Sequence, residues 1–230
     1  MSLILQIETA TTCCSVALAK DGKILRVKEV NERNAHAEVI TKFIEEVILT
    51  EGLNYTQIDA VAVSCGPGSY TGLRIGISTA KGLCFALNKP LIAIDTLTAM
   101  CYGAKRMEGF KGDQNLLLCP MIDARRMEVY TALFDVDIKT IRPTAAEIID
   151  EHSFSDFIGK HPILFFGDGA EKCRTVLSKN LETHFLPDFL NSASHLTELA
   201  YQKFTNKQFE DVALFEPYYL KDFIAGKKAV

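Results

Sequence analysis

The chain has 230 residues, 48% of them hydrophobic and 23% charged, and a formal net charge of −4 at pH 7. Such a chain can bury one large core or two small ones, as soluble globular proteins do. Its lysines and arginines are scattered, which excludes nucleic-acid binding by the chain alone, because that function needs a basic stripe. No apolar run approaches the roughly 18 residues that span a bilayer, so no membrane contact is expected.

The seven cysteines indicate a reducing compartment rather than a disulfide framework. Their number is odd and several lie inside apolar segments, which favours buried thiols and a cytoplasmic protein. Cys13 and Cys14 have no second pair at metal-ligand spacing, so no zinc site is predicted. The N-terminus MSLILQIETA lacks a basic region and a cleavage site, and it predicts a first strand rather than a secretory signal.

The first hundred residues predict one α/β unit. They begin with strands at about 3–10, 14–19 and 23–30, with a tight hairpin turn at Asp21-Gly22. The segment HAEVITKFIEEVILTEG then predicts a helix with two adjacent apolar rows. The rows are Val39, Phe43 and Val47, and Ile40, Ile44 and Ile48.

After this helix the pattern alternates strand, helix, strand and helix. The ranges are about 60–64, 71–87, 91–94 and 97–107. The resulting order, β-β-β-α-β-α-β-α, is that of a ribonuclease-H-like α/β unit.

A second unit is predicted from Leu116 onward, because MIDARRMEVYTALF can be laid on QIETATTCCSVALA without a gap. In both segments an apolar strand ends at a carboxylate, turns and returns as a strand, although chance also produces single matches of this kind. A duplicated ribonuclease-H-like core is the layout of the actin, hexokinase and Hsp70 superfamily. We predict this two-lobed α/β fold, with degenerate nucleotide loops.

The rest of the second half predicts fewer elements. Thr144-Ala-Ala-Glu147 matches a capping box that opens a short helix. PILFFGDGA, at 162–170, predicts a strand, a Gly-Asp-Gly turn and a helix, and a last amphipathic helix precedes the aromatic tail FEPYYLKDF. The expected lobes are 1–107 and 108–204, with the segment 205–230 packing back on the first.

The stretch SCGPGSYTGLRIGISTAKGL, at 64–83, raises the question of phosphate binding. A Walker loop needs a lysine directly after its last glycine, but Gly72 is followed by Leu-Arg. Gly66, Gly68 and Gly72 give only G-x-G-x-x-x-G, which is looser than the dinucleotide motif. We therefore do not expect this loop to hold a nucleotide.

The helix after the loop carries small residues on one face, since Gly72, Gly76 and Ala80 are spaced by four. Glycine inside a helix costs about 1 kcal/mol relative to alanine, so two of them indicate a close approach by another element. The stripe packs either on the protein's own sheet or against a partner's helix.

The residues do not match the patterns of a helical metal site or of a two-metal nuclease. His36 opens the first helix, but Ile40 stands where a helical metal pair needs its second ligand. A ribonuclease-H-type nuclease needs several carboxylates around two Mg²⁺ ions, and Glu8 with Asp95 does not complete that cluster. No metal site and no catalytic residue is predicted.

Phosphoryl transfer is the remaining enzymatic alternative. Kinases of the actin-like fold carry a glycine-rich turn after their first acidic residue, whose backbone amides receive phosphate. Here Glu8 is followed by Thr-Ala-Thr-Thr and Asp123 by Ala-Arg-Arg, and only Gly167-Asp168-Gly169 would sit near an adenosine.

The segments ILQIETATTCCSVAL, GPGSYTGLRIGISTAKGL and MIDARRMEVY, in this order and at these distances, closely resemble the TsaB family, also called YeaZ. The resemblance covers essentially the whole chain. Its most specific motif contains Gly66, Pro67, Gly68, Ser69, Tyr70 and Gly72. It implies a cytoplasmic relative of the transferase TsaD. TsaD-like proteins carry H-x-x-x-H on the first helix and bind a metal there, and Ile40 breaks that pair here.

The resemblance implies a non-catalytic subunit, without peptidase activity, for threonylcarbamoylation of the adenosine next to the anticodon in tRNA. It would bind TsaD directly, with the ATPase TsaE in the complex, and would reach tRNA only through that complex. When alone, the chain could form a homodimer. ATP, Mg and a metal are expected in the partner enzymes, and none is expected to bind this chain strongly. The alternative is an ATP-binding small-molecule kinase or ATPase of the actin-like superfamily.

The resemblance places the TsaD interface on the first two helices, at His36–Glu51 and Thr71–Leu87. The interface residues expected there are His36, Val39, Ile40, Phe43, Ile44, Val47, Thr71, Arg74, Ile75, Gly76, Thr79 and Leu83.

Overall fold

The computed structural model describes residues 1–107, 113–179 and 182–221, and it contains two five-stranded sheets. The strands of the first sheet are β1 (Leu3–Glu8), β2 (Cys13–Lys20), β3 (Lys23–Asn31), β4 (Ala60–Gly66) and β5 (Leu91–Asp95). Its helices are α1 (His36–Leu49), α2 (Tyr70–Leu87) and α3 (Thr96–Lys105). The predicted order of elements in this half is confirmed.

The second sheet comprises β6 (Leu117–Asp123), β7 (Glu128–Phe134), β8 (Thr140–Ile148), β9 (Ile163–Phe166) and β10 (Thr183–Phe185). The remaining helices are α4 (Ala170–Leu177) and α5 (Thr197–Thr205). In the described ranges, no helix combines the length and apolarity needed to cross a bilayer.

The two sheets repeat one topology. Their strand orders are β3-β2-β1-β4-β5 and β8-β7-β6-β9-β10. In each, three consecutive strands pair antiparallel and the first of them then pairs parallel with a later strand. The β1–β2 and β6–β7 hairpins are the two segments that align without a gap. The predicted duplication and the two-lobed ribonuclease-H-like fold are therefore confirmed.

The central strand β1 is buried along all six of its residues. Alternate side chains of a strand point to opposite faces of the sheet. Leu5 and Ile7 thus join the core under α1 and α2, whereas Ile4 joins the core under α3 and α5. The alternation gives the first sheet a helical layer on each face.

Helix α3 lies between the two sheets and belongs to both lobes. Its Ala99 packs in the cluster of the first sheet, whereas Leu97 and Met100 pack in the cluster with Leu118 and Ile122 of the second. Apolar residues cover most of the surface of α3, which suits a helix buried on several sides.

The predicted capping box at 144–147 is wrong, because these residues belong to strand β8. Ala145 and Ala146 pair with Thr131 and Tyr130 of β7, so tertiary pairing overrides the local helix signal. Glu147 forms an ion pair with Arg142 instead of capping a helix.

The predicted lobe boundary at 204 also needs correction. Leu196 and Ala200 pack on the first sheet, so α5 lies with the first lobe, although the sequence placed it in the second. The apolar face of α5 meets Ile4 and Ile92, which offer an uncovered apolar surface on that side of the sheet. The described part of the C-terminal segment follows it there: the Glu210 N–H donates to the Leu91 carbonyl at 2.9 Å.

Candidate functional site

The glycine-rich loop turns the chain from β4 into α2 at the carboxyl edge of the first sheet. Gly66 ends β4 at φ 119°, a conformation that favours glycine, and its peptide bond to Pro67 is cis. The Ser69 hydroxyl caps α2 by accepting from the Gly72 N–H at 3.2 Å. The loop therefore redirects a buried strand into a helix within three residues.

The small-residue face of α2 packs on the β1–β2 turn of the same chain. A Cβ on Gly72 would lie 2.1 Å from the Thr9 carbonyl oxygen, and one on Gly76 would lie 2.2 Å from Thr9 Oγ1. A Cβ on Gly68 would lie 2.6 Å from that of Ala10. The Thr9 hydroxyl donates to the Gly72 carbonyl at 2.8 Å. Internal packing thus accounts for the glycines, and the prediction that Gly76 lies in a partner interface is wrong.

The β1–β2 turn is closed by these contacts. Thr9 and Ala10 are fully buried. The Ala10 N–H donates to the Glu8 carboxylate at 2.6 Å, and the Ser69 N–H donates to the Ala10 carbonyl at 2.7 Å. Phosphate loops bind through free backbone N–H groups in open turns. This turn is filled by buried residues, and the Ala10 N–H is already bonded within the chain.

Glu8 ends β1 as a buried carboxylic acid. It is 1% exposed and accepts from the Ser64 hydroxyl at 2.9 Å as well as from Ala10. Burial raises its pKa to about 7, against the opposing effect of these hydrogen bonds. Because solvent does not reach the carboxyl group, Glu8 fixes the turn and is not placed to act as a general base.

His36 is a structural residue at the start of α1. Its ring is buried, and Nε2 donates to the Thr11 carbonyl at 2.9 Å, which ties the helix to the β1–β2 turn. Ile40, one turn further on, lies in the core. Among the residues that the structure describes, no three histidine, cysteine, aspartate or glutamate side chains come together as a metal site.

Other predicted interface residues on α1 also belong to the core. The buried ones are His36, Ile40, Ile44 and Val47. Side chains buried within the chain cannot meet a partner as well, so these four assignments are corrected.

The remaining predicted residues form the outer face of the α1–α2 pair. They are exposed or half-buried, and comprise Val39, Phe43, Thr71, Arg74, Ile75, Thr79 and Leu83. The apolar ones, Val39, Phe43, Ile75 and Leu83, pack on the core from outside and leave part of their surface open. Phe85, which the sequence did not single out, is 86% exposed on the last turn of α2. We call the set Val39, Phe43, Thr71, Arg74, Ile75, Thr79, Leu83 and Phe85 the outer face.

The C-terminal segment covers the glycine-rich loop. The Tyr218 N–H donates to the Cys65 carbonyl at 2.7 Å, and the Tyr219 ring lies 4.8 Å from that of Tyr70. Lys81 donates to the carbonyl oxygens of Ala213 and Phe215, at 3.2 and 2.9 Å. The aromatic run in this segment was the only sequence signal for these contacts.

Gly66→Ala is expected to release this segment. The new Cβ would lie 2.4 Å from the Tyr218 carbonyl oxygen, and alanine is strained at φ 119°. Limited proteolysis should therefore cut within 206–221 several times faster in the variant than in the wild type, because cleavage tracks local opening. An unchanged cleavage rate there would show that the segment does not depend on Gly66.

The second lobe carries the counterpart of the closed turn, between β6 and β7. The Arg125 N–H donates to the Asp123 carboxylate at 2.8 Å, and Asp123 pairs with Lys172. The Asp123 N–H donates to Asp168 of the Gly-Asp-Gly turn at 2.9 Å. This turn is exposed, unlike that of the first lobe.

Comparisons with known proteins agree on one family. The family described as TsaD, tRNA N6-adenosine threonylcarbamoyltransferase, matches residues 29–228. A Haemophilus influenzae protein named tRNA threonylcarbamoyladenosine biosynthesis protein TsaB is 31% identical over 236 residues, covering 98% of this chain and 96% of its own.

Solved structures of other proteins share this fold. YeaZ from Pseudomonas aeruginosa superposes with a TM-score of 0.80 at 25% identity, covering 96% of this chain and 100% of that one. The activator of the 2-hydroxyisocaproyl-CoA dehydratase from Clostridium difficile, with bound ADPNP, gives 0.51 at 9% identity over 91% and 98% of the two chains. The second likeness concerns the fold alone.

Proposed function

The chain belongs to the TsaB (YeaZ) family of tRNA threonylcarbamoyladenosine biosynthesis proteins, and we propose that it serves this pathway as a non-catalytic subunit that binds and supports TsaD together with TsaE. The observation that carries the proposal is the closed β1–β2 turn. Proteins of this fold that act on nucleotides need an open turn there, and Thr9 with Ala10 fills it here.

The contacts around the first helix support the absence of catalysis. His36 donates to a backbone carbonyl of its own chain, and Ile40 lies in the core where a second metal ligand would be needed. Glu8 is enclosed by Ala10 and Ser64 and cannot reach a substrate. We expect neither transferase nor peptidase activity from the chain alone, and no nucleotide or metal bound strongly by it.

The outer face supports the role of a binding subunit. Phe43, Ile75 and Leu83 are half-buried apolar residues of the two helices, and Arg74 on α2 is exposed. Aromatic and arginine side chains are enriched where proteins bind one another. Both helices pack on the same buried core, which holds their outer residues in place before a partner binds. We propose that TsaD binds here in the cytosol, that a second copy of the chain occupies this face when TsaD is absent, and that tRNA is engaged within the complex.

Co-elution with the same organism's TsaD, followed by light scattering, tests the proposal. We expect a complex with one copy of each chain, and loss of that complex for Leu83→Glu, because a charge buried without a partner costs several kcal/mol. That corresponds to at least about a hundredfold weaker binding. Ile141→Glu on β8 is the matched control, since Ile141 is comparably apolar and lies exposed on the other lobe.

Two results would contradict this proposal. Separate elution of the wild-type chains, with and without nucleotide and TsaE, would remove the binding-subunit role. Micromolar Mg·ATP binding by the chain alone would instead support the kinase or ATPase alternative. If Leu83→Glu and Ile141→Glu bound TsaD equally well, the interface would lie away from the outer face.

A further inference from the structure

The turn between β6 and β7 holds two exposed arginines in an unfavourable backbone conformation. Arg125 has φ 72° and Arg126 has φ 45°, in the left-handed region that hairpin turns usually give to asparagine or glycine. Both residues are exposed. The chain thus keeps two guanidinium groups where the backbone favours glycine.

The duplication shows how the two turns differ. In the gapless alignment of the two hairpins, Arg125 and Arg126 correspond to Ala10 and Thr11, which are both buried. Ala10 packs against the loop before α2, and the Thr11 carbonyl accepts from His36 of α1. The second turn has no such cover. Both turns stand at the carboxyl ends of central strands, the edge at which α/β sheets bind ligands. The residues at this position are buried in the first lobe, whereas in the second lobe they are exposed and positively charged.

The two acidic residues that flank the turn in the sequence are already paired. Asp123 forms an ion pair with Lys172, and Glu128 forms one with Lys221. Within the described ranges, neither Arg125 nor Arg126 has a carboxylate at ion-pair distance. Their charges are therefore available to an anion from outside the chain.

The C-terminal segment reaches the strand that follows this turn. Lys221 forms an ion pair with Glu128 at the start of β7, and the partly exposed Tyr218 and Tyr219 precede Lys221 by three and two residues. Arginine side chains that contact phosphate are a usual means of holding RNA, and exposed rings offer surfaces on which unpaired bases stack.

We infer that the 125–126 turn contacts the phosphate backbone of the tRNA when the chain is assembled with TsaD. The inference rests on the proposed function, since the complex supplies the remaining contacts. Two phosphate contacts are too few for binding by a chain of net charge −4 alone, which agrees with the absence of a basic stripe.

The test is tRNA binding by the complex with TsaD, comparing wild type with Arg125→Gly/Arg126→Gly. Glycine accepts positive φ, so the double variant should unfold at the same temperature as the wild type or higher. We expect its Kd for tRNA to rise about tenfold, and the slope of log Kd against log salt to fall by about 1.4. Lys20→Ala/Lys23→Ala, with the same charge loss on the exposed β2–β3 hairpin, should bind tRNA as the wild type does.

The outcomes separate this inference from the proposed function. Failure of the wild-type chain to co-elute with TsaD would count against the function itself. A double-glycine complex that forms normally and binds tRNA as tightly as the wild type would overturn the inference alone. Inhibition of wild-type tRNA binding by excess AMP, absent in the double variant, would make the turn a mononucleotide site and overturn the RNA assignment.

Discussion

Gly72→Ala is expected to lower the free energy of unfolding by about 3 kcal/mol, whereas Gly82→Ala should raise it by up to about 1 kcal/mol. Both glycines lie on α2. A Cβ at Gly72 would stand 2.1 Å from the Thr9 carbonyl oxygen, a backbone atom that cannot rotate away. Nothing lies within 4 Å of a Cβ at Gly82, so only the gain in helix propensity remains there.

Urea unfolding of the two alanine variants measures this difference directly. A third variant localises the cause: Gly76→Ala meets the Thr9 hydroxyl at 2.2 Å, so its cost should fall when Thr9 is alanine as well. If Gly72→Ala were as stable as the wild type yet failed to bind TsaD, the glycine face would be a partner surface after all.

The fold was predictable because its local signals agree with its tertiary pairing. Strand β1 is a nearly continuous apolar run that ends at Glu8, and Asp21-Gly22 closes the next hairpin as its sequence requires. The gapless repeat located the second lobe from one hairpin. Helix α1 was found from its two apolar rows, which periodicity alone defines.

Which side of a helix meets the core was not predictable from the same patterns. Ile40 and Phe43 stand on adjacent apolar rows of α1, and only the position of the sheet makes the first buried and the second half-exposed. The small residues on one face of α2 predicted that another element packs closely against it. The sequence did not identify that element, because Thr9 lies 63 residues before Gly72 in the chain. The helix signal at Thr144 failed because β7 offered pairing that a local motif does not reveal.

Glu8→Gln is expected to stabilise the protein above pH 7 and to leave it nearly unchanged below pH 5. Burial raises the pKa of Glu8 from 4.5 to about 7, so the folded protein holds this proton more tightly than the unfolded chain. The stabilisation by the bound proton is complete below pH 4.5 and is lost as the pH rises through 7. Glutamine keeps the acceptor for Ala10 and Ser64 without the charge, and the gain at pH 8 should be about 3 kcal/mol.

His195 opposes this effect in the same pH range. Burial lowers its pKa from 6.5 to about 4, where its ring lies against Phe189 and leaves no space for a Cβ on Gly103. A depressed histidine pKa costs stability as the pH falls from 6.5 through 4. The effects of Glu8 and His195 on the free energy of unfolding are similar in size and opposite in sign. Together, these two groups should therefore change the stability of the wild type little between pH 5 and pH 8.

Removing the charge of Glu8 should therefore make the pH dependence due to His195 measurable. Urea unfolding at pH 5 and pH 8 is expected to show Glu8→Gln losing about 2 to 3 kcal/mol on acidification, while the wild type loses much less. Glu45→Gln, an exposed position on α1, should follow the wild type at both pH values. If the Glu8 variant instead followed the wild type, the carboxyl group would be ionised and stabilised in the folded protein, and the β1–β2 turn would have to open enough to hydrate it.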